Sequence, residues 1–132
     1  MARIARVVLP GIPHHVTQRG VRNMDIFFTS DDREIYKGLL LEQSKRFGMD
    51  IVSYCLMNNH VHLIVIPHTE TSLAKAIGET HRLYTREINF RQKAKGYLFQ
   101  GRFFSTPLDE RHFFAALKRS VHYARMTTII AI

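Results

Sequence analysis

The sequence predicts an α+β domain in which an antiparallel sheet of about four strands carries helices packed on it. Three observations predict this: strand-length apolar runs alternate with long segments of helical period, an Asn58-Asn59 dipeptide joins two of the runs directly, and the elements run strand, helix, hairpin, helix, strand, helix. That order builds a sandwich of the ferredoxin-like kind. An RNA-recognition fold shares it, so the order alone does not settle function.

Each element has its own warrant. Residues 1–12 are basic and contain Pro10 and Gly11, an N-terminal arm leading into a first strand at about Pro13 to Arg19, which Gly20 breaks. Val21 to Thr29 reads as a loop or hairpin tip, ending in a short strand at Ile26-Phe27-Phe28. Thr29 or Ser30 caps a helix that opens on Asp31 and Asp32, acidic residues suited to the positive end of a helix dipole. The spacing of Ile35, Leu39 and Phe47 carries this helix to about Phe47, and Gly48 stops it. Asp50 to Met57 and His60 to Pro67 are two strands around Asn58-Asn59, whose tolerance of positive φ suits a tight turn.

Thr71 or Ser72 caps a second helix through about Asn89. Its apolar side takes Leu73, Ile77, Leu83, Tyr84 and Ile88, and its other side is basic, with Lys75, Arg82, Arg86 and Arg91. Lys93, Lys95 and Gly96 form a basic loop, and Tyr97 to Leu108 leads into a fourth strand. Asp109-Glu110 opens a third helix to about Arg125, with Phe113, Leu117, Val121 and Ala124 as its apolar stripe. The expected organisation is a single domain over 1–132, with an arm at 1–12 and a C-terminal helix at 109–125.

Composition narrows the function classes. The formal net charge of +8 and pI of about 10.1 favour an anionic partner, and 45% hydrophobic residues argue against a disordered basic tail. Nucleic acid is the leading candidate. Cys55 is the only cysteine, which excludes an intramolecular disulfide and a multi-cysteine zinc site and fits a reducing cytoplasm. No secretion-signal pattern is visible, and the longest apolar stretches are too short to cross a bilayer, so no membrane partner is expected.

The most informative stretch is Met57-Asn58-Asn59-His60-Val61-His62-Leu63-Ile64-Val65-Ile66. Side chains alternate along a strand, so His60 and His62 project from one face roughly 6.5 to 7 Å apart and can reach one divalent ion. Two polar rings on a face that continues as Ile64 and Ile66 have no obvious packing reason, since each buried ring needs a hydrogen-bond partner or a ligand. An exposed strand end beside the turn is the bland alternative. His14 and His15 are adjacent and point to opposite faces, so only one of them can line the same pocket. Gln18, Arg19, Arg22 and Asn23 around the first loop, and Gln100 with Arg102 before the last helix, are candidate contacts to phosphates or unpaired bases. Phe99, Phe103 and Phe104 are either stacking platforms for bases or core.

His60-Val61-His62, a histidine, hydrophobic, histidine triplet, resembles the HUH motif of single-tyrosine transposases. Pro13-His14-His15-Val16-Thr17-Gln18-Arg19-Gly20 and Leu98-Phe99-Gln100-Gly101-Arg102-Phe103 extend the likeness to the REP-associated tyrosine transposases, over about residues 3 to 117. The resemblance implies single-stranded DNA nicking and strand transfer beside hairpins. It implies Mg²⁺ or Mn²⁺ held by His60 and His62, and a tyrosine on the last helix that leaves a 5′-phosphotyrosine. Hard Mg²⁺ prefers oxygen, so an oxygen-bearing third ligand is also expected. Relatives include monomers and dimers, so a homodimer is one of two expected assemblies.

The C-terminus departs from the pattern. The family's nucleophile falls near Arg119 or Ser120 by count from Gly101-Arg102-Phe103, and the Asn-Pro that follows it in relatives is absent. The only tyrosine on this helix is Tyr123, about one turn and roughly 5 Å further along. Three readings stay open: Tyr123 as nucleophile with the helix slid by a turn, a catalytically degenerate nucleic-acid-binding domain, or a misaligned helix with the nucleophile outside it.

Overall fold

The computed structural model describes residues 6–122 and 127–129, with side chains described through residue 118. Its strands are β1 (His14–Arg19), β2 (Met49–Leu56), β3 (His60–Pro67), β4 (Phe104–Pro107) and β5 (Thr127–Ile129), and its helices are α1 (Ser30–Phe47), α2 (Ser72–Gln92) and α3 (Glu110–His122). The sheet order is β4-β1-β3-β2-β5, and every pairing is antiparallel. The α+β sandwich expected from the element order is therefore present, widened by a fifth strand at the C-terminal side. Three residues with no flanking period left β5 without a sequence signal.

Alternation sorts the side chains onto two faces. Val16, Val61, Leu63 and Val65 are fully buried and meet Tyr36 and Leu40 of α1 and Leu73, Ile77, Tyr84 and Ile88 of α2. The centre of the α1 face is thus Tyr36 and Leu40, one residue on from the expected Ile35 and Leu39, which pack at its margin. The opposite face carries a second cluster, in which Val52, Ile64 and Ile66 pack against Phe113, Ala116 and Leu117 of α3. His60 and His62 belong to this second face. The strand changes from isoleucine to histidine along the face that α3 covers at Ile64 and Ile66.

Helix ends follow their capping residues. Gly48 closes α1 in the left-handed conformation at φ 75°, and its N–H reaches the Ser44 carbonyl. At the other end of α1, Thr29 and Asp32 form a capping box. Lys93, at φ 53°, ends α2 three residues later than the periodicity suggests, because a lysine carries no stop signal. The expected strand at residues 26–28 is absent. Ile26 and Phe27 turn inward instead, and their N–H groups reach the Asn58 carbonyl. The expected long fourth strand shrinks to Phe104–Pro107, preceded by a single bridge between Gly20 and Phe99.

The β2–β3 turn also differs from expectation. Asn58 and Asn59 do not have positive φ; Arg22 at 54° and Asn23 at 58° do. The turn is held by hydrogen bonds, with Met57 N–H donating to the His60 carbonyl and Gly20 N–H to the Asn59 carbonyl, both at 2.9 Å. Gly20 fits here because a Cβ would run into the Met24 carbonyl oxygen, which is backbone and cannot swing away. Gly20→Ala is expected to destabilise the fold by roughly 1 to 3 kcal/mol, measurable as a lower midpoint in urea unfolding.

A buried aromatic stack carries this order to residues 97–103. His81 of α2 stacks on Phe99 with ring centroids 4.3 Å apart and hydrogen-bonds the Tyr36 hydroxyl at 2.7 Å. Burial pushes the His81 pKa down to about 3, so the ring is neutral and packs as an aromatic. The stack thus pins Phe99, which precedes Gln100 and Arg102, against α2.

Candidate metal-binding cleft

At the β1–β3 register, Thr17 lies opposite His62 and Arg19 opposite His60. These four side chains and Phe104 share one cleft with Gln18, Asn23, Asn59, Gln100 and Arg102, of about 550 Å³. The first loop, the β2–β3 turn and the segment before β4 therefore converge on the histidine pair. Gln100 N–H donates to the Arg19 carbonyl, and Val21 N–H donates to the Leu98 carbonyl, both at 2.9 Å.

The two imidazole rings lie edge to face with centroids 4.9 Å apart. Each is held through Nδ1. His60 Nδ1 is 2.7 Å from Asn59 Oδ1, and His62 Nδ1 is 3.1 Å from His15 Nε2. Burial lowers the His60 pKa below the ordinary histidine value, favouring the neutral ring that a metal ligand must be. The His15 ring lies edge to edge with His62, centroids 5.3 Å apart and 11° between planes, whereas its neighbour His14 is fully buried and contacts the Leu9 N–H and Ile12 carbonyl. The strand alternation separates the two as expected.

The residue types fit a divalent ion in part. Two imidazoles from one face supply nitrogen donors, but among the described residues no cluster of three or more His, Cys, Asp or Glu forms around an ion. A hard ion held here would need oxygen donors as well, which the side-chain amides of the wall would supply.

Of the expected nucleic-acid contacts, Gln18, Arg19, Asn23, Gln100 and Arg102 line the cleft, and Arg22 does not. Arg22 contributes its main chain, since its N–H lies 3.4 Å from Gln100 Oε1. Gln18 is buried, and its amide nitrogen donates to the Gly101 carbonyl at 2.9 Å, so it also fixes the cleft wall. Phe99 and Phe103 are core, while Phe104 is exposed at the cleft. Sequence reasoning missed Thr17, which the alternation with His15 and Arg19 could have found, and Asn59, whose place after Asn58 signals only a turn. Tyr123 lies outside the described residues.

The model of the family described as "Transposase IS200 like" matches residues 13–122, and the chain belongs to that family. No curated protein matches the chain by sequence. Among solved structures, the fold is similar to a REP-associated tyrosine transposase described as bound to a REP hairpin, with a TM-score of 0.74 at 12% identity over 95% of this chain and 74% of that one. It is also similar to a candidate transposase from Deinococcus radiodurans, with a TM-score of 0.60 at 16% identity over 92% of this chain and 96% of that one. Among the described residues, no helix is long and apolar enough to cross a membrane.

Proposed function

We propose that this protein is a transposase of the REP-associated branch, which nicks and rejoins single-stranded DNA beside a hairpin through a 5′-phosphotyrosine. The observation that carries the reading is the convergence of His60 and His62 with Arg19 and Arg102 in one cleft. His60 and His62 would hold Mg²⁺ or Mn²⁺, which when bound offsets the charge developing on the scissile phosphate. Arg19 and Arg102 hold the phosphate backbone, and the Asn23 and Gln100 amides read unpaired bases by hydrogen bonds. Phe104 offers an exposed ring on which a splayed base stacks.

Tyr123 is the proposed nucleophile. Its phenol oxygen bonds to phosphorus, its proton passes to solvent or a nearby base, and the P–O3′ bond breaks with the leaving oxygen protonated as a 3′-hydroxyl. Attack by another 3′-hydroxyl reverses these steps and joins strands without ATP, since the phosphotyrosine conserves the bond energy. The hairpin substrate is supported by the REP hairpin in the relative of similar fold. A cytoplasmic location belongs to the same reading.

The test is a denaturing gel with hairpin-flanking single-stranded DNA and Mn²⁺. Wild type is expected to leave a covalent protein–DNA adduct and Tyr123→Phe none, while both retain the hairpin in a mobility shift. An adduct that persists in Tyr123→Phe removes Tyr123 as nucleophile. No adduct from wild type, with salt-sensitive DNA binding intact, favours the degenerate binding domain, in keeping with the missing tyrosine near Arg119 and Ser120.

A further inference from the structure

We infer that Asn59 and His15 are positioning residues that hold His60 and His62 in the tautomer protonated on Nδ1, so that both rings present Nε2 to the ion. The inference rests on the two-histidine metal reading above and specifies how the chain prepares its ligands.

At His60 the proton can be located from the hydrogen bonds around it. The Asn59 side-chain nitrogen donates to the Asn23 carbonyl at 3.3 Å, which leaves Oδ1 as the end facing His60 Nδ1 at 2.7 Å. An amide oxygen only accepts, so Nδ1 carries the hydrogen and Nε2 the lone pair. The Asn23 carbonyl is in turn placed by the left-handed backbone of Arg22 and Asn23, and the Asn59 main chain is tied to Gly20. The first loop thus reaches the ligand through one side chain.

At His62 the partner comes from the neighbouring strand. Thr17 is the direct cross-strand neighbour, and His15 lies two residues along β1 on the same face, the diagonal position from which a long ring reaches. The two rings lie edge to edge and nearly coplanar, which sets the plane of His62, and the 3.1 Å contact between His15 Nε2 and His62 Nδ1 fixes which nitrogen is turned away from β1. Two unrelated partners, an amide from a turn and an imidazole from a strand, therefore engage the same nitrogen. Metal-binding histidines take such outer partners, and losing one costs about 10- to 100-fold in metal affinity.

Two measurements on the folded, DNA-free protein decide the matter. Long-range ¹H–¹⁵N spectra of metal-free, histidine-labelled wild type are expected to show Nδ1–H and bare Nε2 for His60 and His62. That preference is expected to be lost at His60 in Asn59→Ala and at His62 in His15→Ala. Mn²⁺ affinity, followed by electron paramagnetic resonance, is expected to fall about 10- to 100-fold in each alanine variant and to recover in Asn59→Asp and His15→Gln, which restore an acceptor. Nε2–H tautomers in the wild type overturn the proposal whether or not any variant folds. Unchanged tautomers and Mn²⁺ affinity in both alanine variants also overturn it. His60→Ala and His62→Ala separate the two levels: if they abolish Mn²⁺ binding while the Asn59 and His15 variants keep it, only the positioning role fails. If they leave Mn²⁺ binding intact, the metal reading itself fails.

Discussion

His60→Ala and His62→Ala are each expected to lower metal-dependent DNA cleavage by about a thousandfold or more, while leaving metal-free DNA binding within a few-fold. A divalent ion at a reacting phosphate supplies several kcal/mol of charge stabilisation, and each 1.36 kcal/mol is a factor of ten in rate. With a single imidazole, too few protein donors remain to hold a hard ion at the cleft, because no third His, Cys, Asp or Glu completes a cluster among the described residues. On the proposed reading DNA affinity rests on Arg19, Arg102, Asn23 and Gln100, which neither substitution replaces. The check is a cleavage time course at fixed DNA over a Mn²⁺ titration, beside a mobility shift in chelator. Equal loss of binding and cleavage would mean that the histidines hold DNA or the fold rather than an ion.

Asp32→Asn or Asp32→Ala is expected to cost about 2 to 3 kcal/mol of folding stability, from the lost cap of α1 and the buried N–H donors left unpaired. The carboxylate is fully buried and accepts from Arg91 in two-pronged fashion at 2.6 and 3.0 Å, from the Phe28 and Thr29 N–H groups at 2.6 and 2.9 Å, and from the Thr29 hydroxyl at 2.9 Å. It therefore caps the start of α1 and ties it to the end of α2. Burial pushes its pKa up, but Arg91 and the hydrogen bonds from Phe28 and Thr29 outweigh it and hold the group well below its ordinary value of 3.8.

The sign of the pH effect follows from that depression. The unfolded chain takes up the proton first as pH falls, so this stabilisation is complete above the ordinary carboxylate range and is lost progressively below about pH 4. Urea unfolding of the wild type should weaken over that acid window, whereas Asp32→Asn should start lower and lose less. A parallel pair of curves would contradict the assignment.

Most of the architecture was legible in the sequence because binary pattern and caps agree with it. Gly48 marked the end of α1, and Leu73, Ile77, Tyr84 and Ile88 gave the buried stripe of α2 correctly. What failed was local and had a cause. Asn58 and Asn59 suit a left-handed turn, yet the chain spends that conformation on Arg22 and Asn23, and the turn carbonyls take tertiary N–H groups from Gly20, Ile26 and Phe27 instead. Phe99 and Phe103 were open between base stacking and core and both belong to the core, Phe99 against His81, a pairing across 18 residues that no period encodes.

The histidine pair was legible for a different reason. His60 and His62 break the apolar pattern of β3 without breaking its alternation, so they stand out on the face where they belong. Their outer partners did not, because a contact such as His15 with His62 depends on strand register, which one sequence does not declare.

The borders of the sheet also limit how the molecule engages other chains. β5 lies against Ser53 to Cys55 of the apolar strand β2, and the opposite rim is the four-residue β4, which ends on Pro107 and so lacks one ladder donor. Among the described residues both rims of the sheet are strands of four residues or fewer, a length that disfavours strand addition. Recognition is left to side chains in a recess, which on the proposed reading meet the bases and phosphates of a DNA strand.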